Sequence, residues 1–574
     1  MTSYRPNLAD IHFILHDVLQ APQQLQALPA FADADSALLK QVLEEAGKFV
    51  ANEVAPLSRV GDEVGCLFKD GLVTTPPGFQ KAYAAFWQAG WPALACDPAH
   101  GGQGLPWVLE GVLFEMLSAA NHGWTMAPGL LHGAYECLKH HASAELQARY
   151  LEKVATGEWL ATMCLTEPHA GSDLGLVRTR ATPQADGSYT LQGTKIFISG
   201  GEHDLTENIL HLVLARLPDA PPGPKGLSLF LAPKVLPDGT RNPVVCERIE
   251  EKMGLHGSPT CVMRFDEATG WLIGTAGAGL NAMFVMMNAA RVHVALQGIG
   301  LLDAAWQKAH AYAQERRQMR APRAEGLPKT GSEPDLIAEH PAVQNILNTQ
   351  RAWIDGGRVL AYRTGVELDI AKHHPDAKRR EQAKNWCSLV TPVLKAACTA
   401  QAFSGASECL QVFGGHGYVR EWGIEQIVRD ARVPMIYEGT NEIQAIDLLV
   451  RKVLPDGGQA LAALWLSLRK DLDASQTLDA EVLRRMAELR YLATQIHLAA
   501  AADARLPFAV ADDFLQVVAL VLLAWAWAQI AHTPGANVPR WQVPGVALQQ
   551  RILPALEMLL RRIRLQLPTQ NAPT

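Results

Sequence analysis

Ser188–Ser199 reads SYTLQGTKIFIS. Aromatic and β-branched residues alternate there with polar ones, the period of a strand with one face buried. Three more strand-like runs follow: ILHLVLARL (209–217), GLSLFLAP (226–233) and TCVMRFDEATGWLIG (260–274). Gly, Pro and Asp turns separate them, and PDAPPGPKG (218–226) reads as an exposed loop. Working outward, the pattern on both sides is helical. Upstream, ADADSALLKQVLEEAGKFVANEVAPL (32–57) carries Leu38, Val42, Ala46 and Val50 at steps of four, and GVLFEMLSAANHG (111–123) and SAELQARYLEKVATGEW (143–159) continue the theme. Downstream, 281–318, 340–374 and 381–415 predict long apolar-striped helices. Residues 455–574 are again helical and rich in Leu, Ala and Trp, after a linker at LPDGGQ (454–459).

Helices and strands are thus segregated, which means an α+β chain, mostly α, and not a doubly wound sheet. The expected order is an N-terminal extension (1–35), a helical domain (36–158), a β domain (159–275), a helical bundle (276–452) and an additional helical domain (453–574). The N-terminus predicts a short amphipathic helix with Ile11, Phe13, Ile14 and Val18 inward, and not a signal peptide. In FLQVVALVLLAWAWAQIAH (514–532) the uninterrupted apolar run, Val517 to Ala528, is about half of the ~20 residues that cross a bilayer. A buried helix is expected there, and membrane contact is not.

The 574 residues carry a net charge of −7, with no basic run to suggest a nucleic-acid surface. Nine cysteines are scattered without CxxC spacing, which points to a reduced, cytoplasmic chain. HExxH, a zinc-spaced Cys/His set, GxSxG and a P-loop are all missing, and no metal site is expected. HGGQG and FGGHGY lack the GxGxxG spacing of a dinucleotide fold. A carboxylate base working with an organic cofactor is the economical hypothesis for an enzyme.

Four polar, glycine-bearing stretches remain. They are MCLTEPHAGSDLG (163–175), TKIFISGGEHD (194–204), MNAARVHVALQG (287–298) with QERRQ (314–318), and LQVFGGHGYVRE (410–421) leading to MIYEGTNEIQA (435–445). Each alone reads as a turn or a helix end. In the last, Asn441 and Gln444 read as a capping box, which leaves Glu438 on a loop just ahead of a helix.

Together and in this order, the stretches resemble the acyl-CoA dehydrogenase family of flavoproteins over roughly residues 40–450. CLTEPHAGSD is similar to the family's Thr-Glu-Pro-x-Ala-Gly-Ser-Asp signature, YEGTNEIQ to its second signature, and QVFGGHGY to its dimer-interface flavin loop. The extensions at both ends, with GEHDLTENI (201–209), resemble the long subgroup that includes 3-(methylthio)propionyl-CoA dehydrogenase. The resemblance implies a helical domain, a β barrel and a four-helix bundle. It also implies FAD-dependent α,β-dehydrogenation of an acyl-CoA to the trans-2-enoyl-CoA in fatty acid β-oxidation, with flavin N5 accepting hydride. Glu438 is the implied α-proton base, its pKa raised by a dry pocket.

By position, Met163, Leu165 and Thr166 are implied at the flavin ring, with Thr166 near N5. Phe197, Ile198 and Ser199 are implied on the ring's other face, with Phe197 standing where many relatives have Trp. Ser172 is implied at pyrophosphate or pantetheine. Arg316 and Gln318, and Gln411, Gly414 and Gly415 from a neighbouring subunit, are implied at the FAD pyrophosphate region. Thr440 and Glu442 are implied on FAD, with Glu442 where relatives often carry Gln. Asn288, Arg291 and Gly439 are implied at the substrate, and Met283, Phe284, Met286 and Met287 either line the acyl pocket or pack in the core. A homodimer or higher homo-oligomer and electron-transfer flavoprotein as acceptor follow from the same resemblance. The acyl group stays open among a thioether chain and short, medium or long fatty chains. The alternatives are an oxidase-like relative that reduces oxygen and a flavin-free binding scaffold.

Overall fold

The computed structural model describes residues 3–322 and 333–568; positions 1–2, 323–332 and 569–574 lie outside it. The N-terminal helices are α1 (Leu8–His12), α2 (Ala21–Gln26), α3 (Ser36–Phe49), α4 (Ser58–Val64), α5 (Phe79–Gln88), α6 (Trp107–Thr125), α7 (Leu131–His141) and α8 (Ala144–Ala155). A hairpin of β1 (Leu67–Lys69) and β2 (Leu72–Thr74) interrupts them. The sheet strands are β3 (Leu160–Cys164), β4 (Arg180–Pro183), β5 (Tyr189–Ser199), β6 (Ile209–Arg216), β7 (Leu227–Pro233), β8 (Val244–Ile249) and β9 (Thr260–Ile273). Then come α9 (Gly279–Glu315), α10 (Pro341–His373), α11 (Ala377–Val412), α12 (Ile424–Asp430) and α13 (Asn441–Ile446). The C-terminal helices are α14 (Gln459–Arg469), α15 (Thr477–Ala500), α16 (Leu506–His532), α17 (Pro539–Ala547) and α18 (Ala555–Gln566).

The chain forms two compact units, residues 45–293 and residues 1–44 with 294–574. The division is coarser than the five expected segments and falls inside α9.

In the first unit, β6 pairs antiparallel with β7, β7 with β9, β9 with β5, and β5 with β4. The circuit returns to β6 through one pair, Arg180 and Arg216. The expected barrel is therefore a curved sheet closed at a single point. β6 ends there, just ahead of Pro218, whose missing N–H cannot extend a ladder. β3 adds parallel to β6, and β8 adds to β9. Cys164, Leu191, Ile198, Val213, Phe230 and Phe265 fill the interior.

The stripe expected on α3 is shifted. Leu39, Leu43, Ala46 and Val50 are buried, and Leu38 and Val42 are only half-buried. A strict step of four turns about 40° further round the helix each time, whereas steps of 4, 3 and 4 stay on one face. On the N-terminal segment Ile11, Ile14 and Leu15 are buried, and Phe13 and Val18 are half-buried.

In the second unit, α16 is buried along its apolar run, including Trp525 and Trp527. Within that unit the Trp527 indole donates to the Ala352 carbonyl of α10 (2.9 Å). Close packing there requires Gly356, where a Cβ would lie 2.4 Å from Leu523 Cδ1. The same unit holds a network of three aspartates and three arginines, buried except for the half-exposed Arg540. Arg351 donates to Asp10 (2.6 Å), Asp303 (3.2 Å) and Asp355 (2.7 Å). Arg540, on α17, donates to Asp10 (2.7 Å) and Asp355 (2.8 Å), and Arg358 donates to Asp303 (3.0 Å). Burial pushes the Asp355 carboxyl up, but Arg351, Arg540 and Arg358 together hold it below the ordinary aspartate value.

A carboxyl with a lowered folded pKa contributes stability above its unfolded pKa and loses it as pH falls through the folded value. Asp355→Ala leaves the buried Arg351 guanidinium and the half-exposed Arg540 short of a counter-ion. The variant is expected to lose about 3–5 kcal/mol at neutral pH by chemical denaturation, with a smaller difference from the parent in strong acid.

Candidate active site

In the first unit, β3 ends at Cys164 and delivers the CLTEP turn. That turn is tied down by a buried ion pair, Lys195 Nζ to Glu167 Oε1 at 2.9 Å. Glu167 also accepts from the Arg178 and Thr179 amides (2.8 and 3.0 Å) and the Thr179 hydroxyl (2.6 Å), and His169 Nε2 lies 3.4 Å from its Oε2. Burial alone would raise the Glu167 carboxyl, and Lys195 with these donors holds it below the usual value. Lys195 also donates to Leu165 O (3.1 Å), and the Ile196 amide donates to Thr166 O (2.9 Å). Leu165 and Thr166 are thereby fixed against β5 with Met163 beside them, and all three side chains are half-buried.

β5 bulges between Lys195 and Ile198 where it pairs with β9. The bulge puts Phe197 at φ +60°, a left-handed conformation strained for an aromatic residue, and turns its ring outward, 60% exposed. The Ile198 side chain points into the sheet core, so only its backbone can meet a cofactor; Ser199 is half-buried and Ser172 exposed. Arg291 is buried on α9 and donates to Asn288 Oδ1 (3.3 Å). Met283 and Met286 are fully buried core residues, whereas Phe284 and Met287 are half-buried.

The second unit carries the loop of Glu438, the expected base. Glu438 is at φ +56° and Gly439 at φ +85°, two left-handed residues in succession. Their carbonyls turn into the bundle. Gln444 Nε2 donates to Glu438 O (3.1 Å) and Gly439 O (3.2 Å), and Lys395 Nζ donates to Gly439 O (2.7 Å). The expected capping box is not formed. Thr440 is the N-cap of α13, its hydroxyl accepting from Ile443 N (3.4 Å), because Lys395 (3.0 Å) engages Asn441 Oδ1 and Gln444 serves the loop carbonyls. Glu438 is half-buried, and burial together with its charge pushes the Tyr437 phenol well up. The Tyr437 hydroxyl donates to Gln297 Oε1 (2.6 Å).

The same unit brings Arg316 and Gln318 to the end of α9, near the Gly414–Gly415 turn. Tyr312 links the two, stacked on Phe413 (4.3 Å) and bonded to His416 (2.9 Å). Arg316, Gln318, Gln411, Gly414 and Gly415 are all exposed, and nothing lies within 4 Å of a Cβ built on either glycine. Glu442 is exposed, its carboxyl lowered chiefly by the Thr440 hydroxyl.

Sequence reasoning missed the supports: Glu167, Lys195, Lys395 and Gln444. The available signal was a lone lysine in an apolar run, as in TPVLKAAC, which must find partners inside. FAD suits the residues present. In the first unit the outward Phe197 and the pinned Thr166 offer a ring wall and a polar contact; in the second, taken by itself, the open glycine turn leaves room for phosphate.

Three family models match in sequence: the acyl-CoA dehydrogenase N-terminal domain over residues 36–158, the middle domain over 162–268 and the C-terminal domain over 329–453. The chain is 41% identical to a 3-methylmercaptopropionyl-CoA dehydrogenase of Ruegeria pomeroyi, over 91% of this chain and 90% of that one. It is 36% identical to a broad-specificity linear acyl-CoA dehydrogenase of Mycobacterium tuberculosis, over 83% and 79%. An acyl-CoA dehydrogenase of Bacillus anthracis solved with FAD shares the fold, with a TM-score of 0.76 at 20% identity, over 95% of this chain and 91% of that one. The chain belongs to the acyl-CoA dehydrogenase family. It is a flavoprotein oxidoreductase that dehydrogenates acyl-CoA with FAD.

Phe197→Gly separates strain from function. Glycine accepts φ +60° freely, so the flavin-free protein is expected to change in stability by less than about 1 kcal/mol. Loss of the ring wall is expected to weaken FAD binding about 3- to 10-fold, read by flavin fluorescence on dilution.

Proposed function

We propose that Glu438 removes the α proton of a bound acyl-CoA and that the loop around it exists to aim that carboxylate. The observation that carries this reading is a glutamate held at φ +56° with its own carbonyl and the next turned inward. Such a conformation costs about 1–3 kcal/mol and persists only where its surroundings enforce it. FAD, when bound, supplies the acceptor for the β-carbon hydride. This chain's residues do the rest. Thr166 and Phe197 orient the ring, Arg291 and Asn288 hold the thioester end, and substrate covering half-buried Glu438 excludes water and strengthens it as a base.

The substrate class we favour is a short acyl-CoA with a thioether chain, 3-(methylthio)propanoyl-CoA. The 41% identity across nearly the full length of both chains supports it, with linear fatty acyl-CoAs as the second class. The protein is further proposed to be a cytoplasmic homo-oligomer that passes electrons to an electron-transfer flavoprotein, with Gln411, Gly414 and Gly415 of one copy serving the flavin of another. The names of the two relatives given above, both dehydrogenases, do not favour oxygen as the acceptor.

Anaerobic titration of the holoenzyme with a panel of acyl-CoAs tests the reading. Flavin absorbance is expected to bleach most readily with 3-(methylthio)propanoyl-CoA, and Glu438→Gln to slow bleaching by about 10²–10⁴-fold. A Glu438→Gln holoenzyme that bleaches at the parent rate would assign the base elsewhere.

A further inference from the structure

Lys395 is a charged side chain with none of its surface exposed, in the interior of α11. Burying an ammonium is costly, and an apolar residue would complete that helix face more cheaply. Its hydrogen bonds explain why it is there. Lys395 Nζ donates to Gly439 O at 2.7 Å and to Asn441 Oδ1 at 3.0 Å. Asn441 is clamped in turn, its Nδ2 donating to Ala396 O (3.1 Å) and its Oδ1 accepting from the Thr399 hydroxyl (3.3 Å). One turn of α11, from Lys395 to Thr399, thus grips Gly439 and Asn441, one and three residues after Glu438.

The grip falls where the backbone is least able to hold itself. Glu438 and Gly439 are both left-handed, and a peptide flip at either would redirect the Glu438 side chain. A charged donor makes a stronger bond to a carbonyl than a neutral one. Gln444, the second donor to Gly439 O (3.2 Å), also reaches Glu438 O, so ammonium and amide lock the two peptides from one side.

We propose that Lys395 is a positioning residue for the dehydrogenation: its buried ammonium, through Gly439 O and Asn441, fixes the left-handed Glu438–Gly439 turn and so the aim of the base. The proposal rests on the reading of Glu438 as the base. It concerns the rate of proton removal and not the binding of acyl-CoA or of flavin.

The test is the FAD-loaded Lys395→Met enzyme, mixed anaerobically with the acyl-CoA that bleaches the parent best. The expected result is a bleaching rate at saturating acyl-CoA reduced about 10- to 100-fold, as for a small misplacement of a catalytic group. The acyl-CoA concentration for half-maximal rate and the flavin content should stay within twofold of the parent, and the isotope effect on α-deuterated substrate should rise. A role in fold stability alone would lower the melting temperature or the flavin content and leave the loaded enzyme at the parent rate; that result overturns the proposal. Should Lys395→Met fail to fold, Gln444→Met, which removes the other donor to the same carbonyls, is read in the same way. Glu438→Gln, run beside them, separates the two claims. If it bleaches normally, the base is misassigned and the positioning role falls with it. If it is inactive while the Lys395 and Gln444 variants match the parent, only the positioning role fails.

Discussion

Three aspartates and three arginines, all buried except the half-exposed Arg540, tie the second unit together. Asp10 lies near the start of the chain, Asp303 on α9, Asp355 on α10 and Arg540 near the end. Each charge is costly to bury alone and tolerable only with its partners in place. The network therefore requires the N-terminal segment, the bundle and α17 to assemble in one arrangement. The Glu438 loop is built on that unit, so the accuracy with which Glu438 is held depends on helices far from it in sequence.

The first unit meets the same problem on a smaller scale. Its Glu167–Lys195 pair joins the turn after β3 to β5 and leaves Leu165 and Thr166 braced beside the Phe197 bulge. In both units a buried lysine donates to a loop carbonyl and lies close to a strained residue: Lys195 two positions before Phe197, Lys395 on the carbonyl that follows Glu438. At these two positions the buried cations sit where backbone strain has to be offset.

Much of this was legible in the residues. Alternation in SYTLQGTKIFIS located β5, and the long apolar periodicities located α9, α10 and α11. The four glycine-bearing stretches marked the family and nominated Glu438. Other readings failed for definable reasons. Asn441 and Gln444 have the spacing of a capping box, but spacing does not show that a lysine 46 residues upstream takes the asparagine. Short strands such as β4 and β8 carry too few residues to show a period. A step-of-four stripe on α3 looked continuous in the sequence and drifted off the buried face in space.

The sequence by itself determined the class of fold, the order of helical and sheet segments and the family, and it singled out the carboxylate proposed as the base, because periodicity and signature residues are local and need no neighbours to be read. The tertiary structure alone decided that the barrel closes at one residue pair, that Ile198 faces the core while Phe197 faces outward, and that Lys195 and Lys395 are buried supports. Those outcomes depend on hydrogen bonds and ion pairs between residues tens to hundreds of positions apart, and such pairings follow from packing and leave no spacing in the chain to announce them.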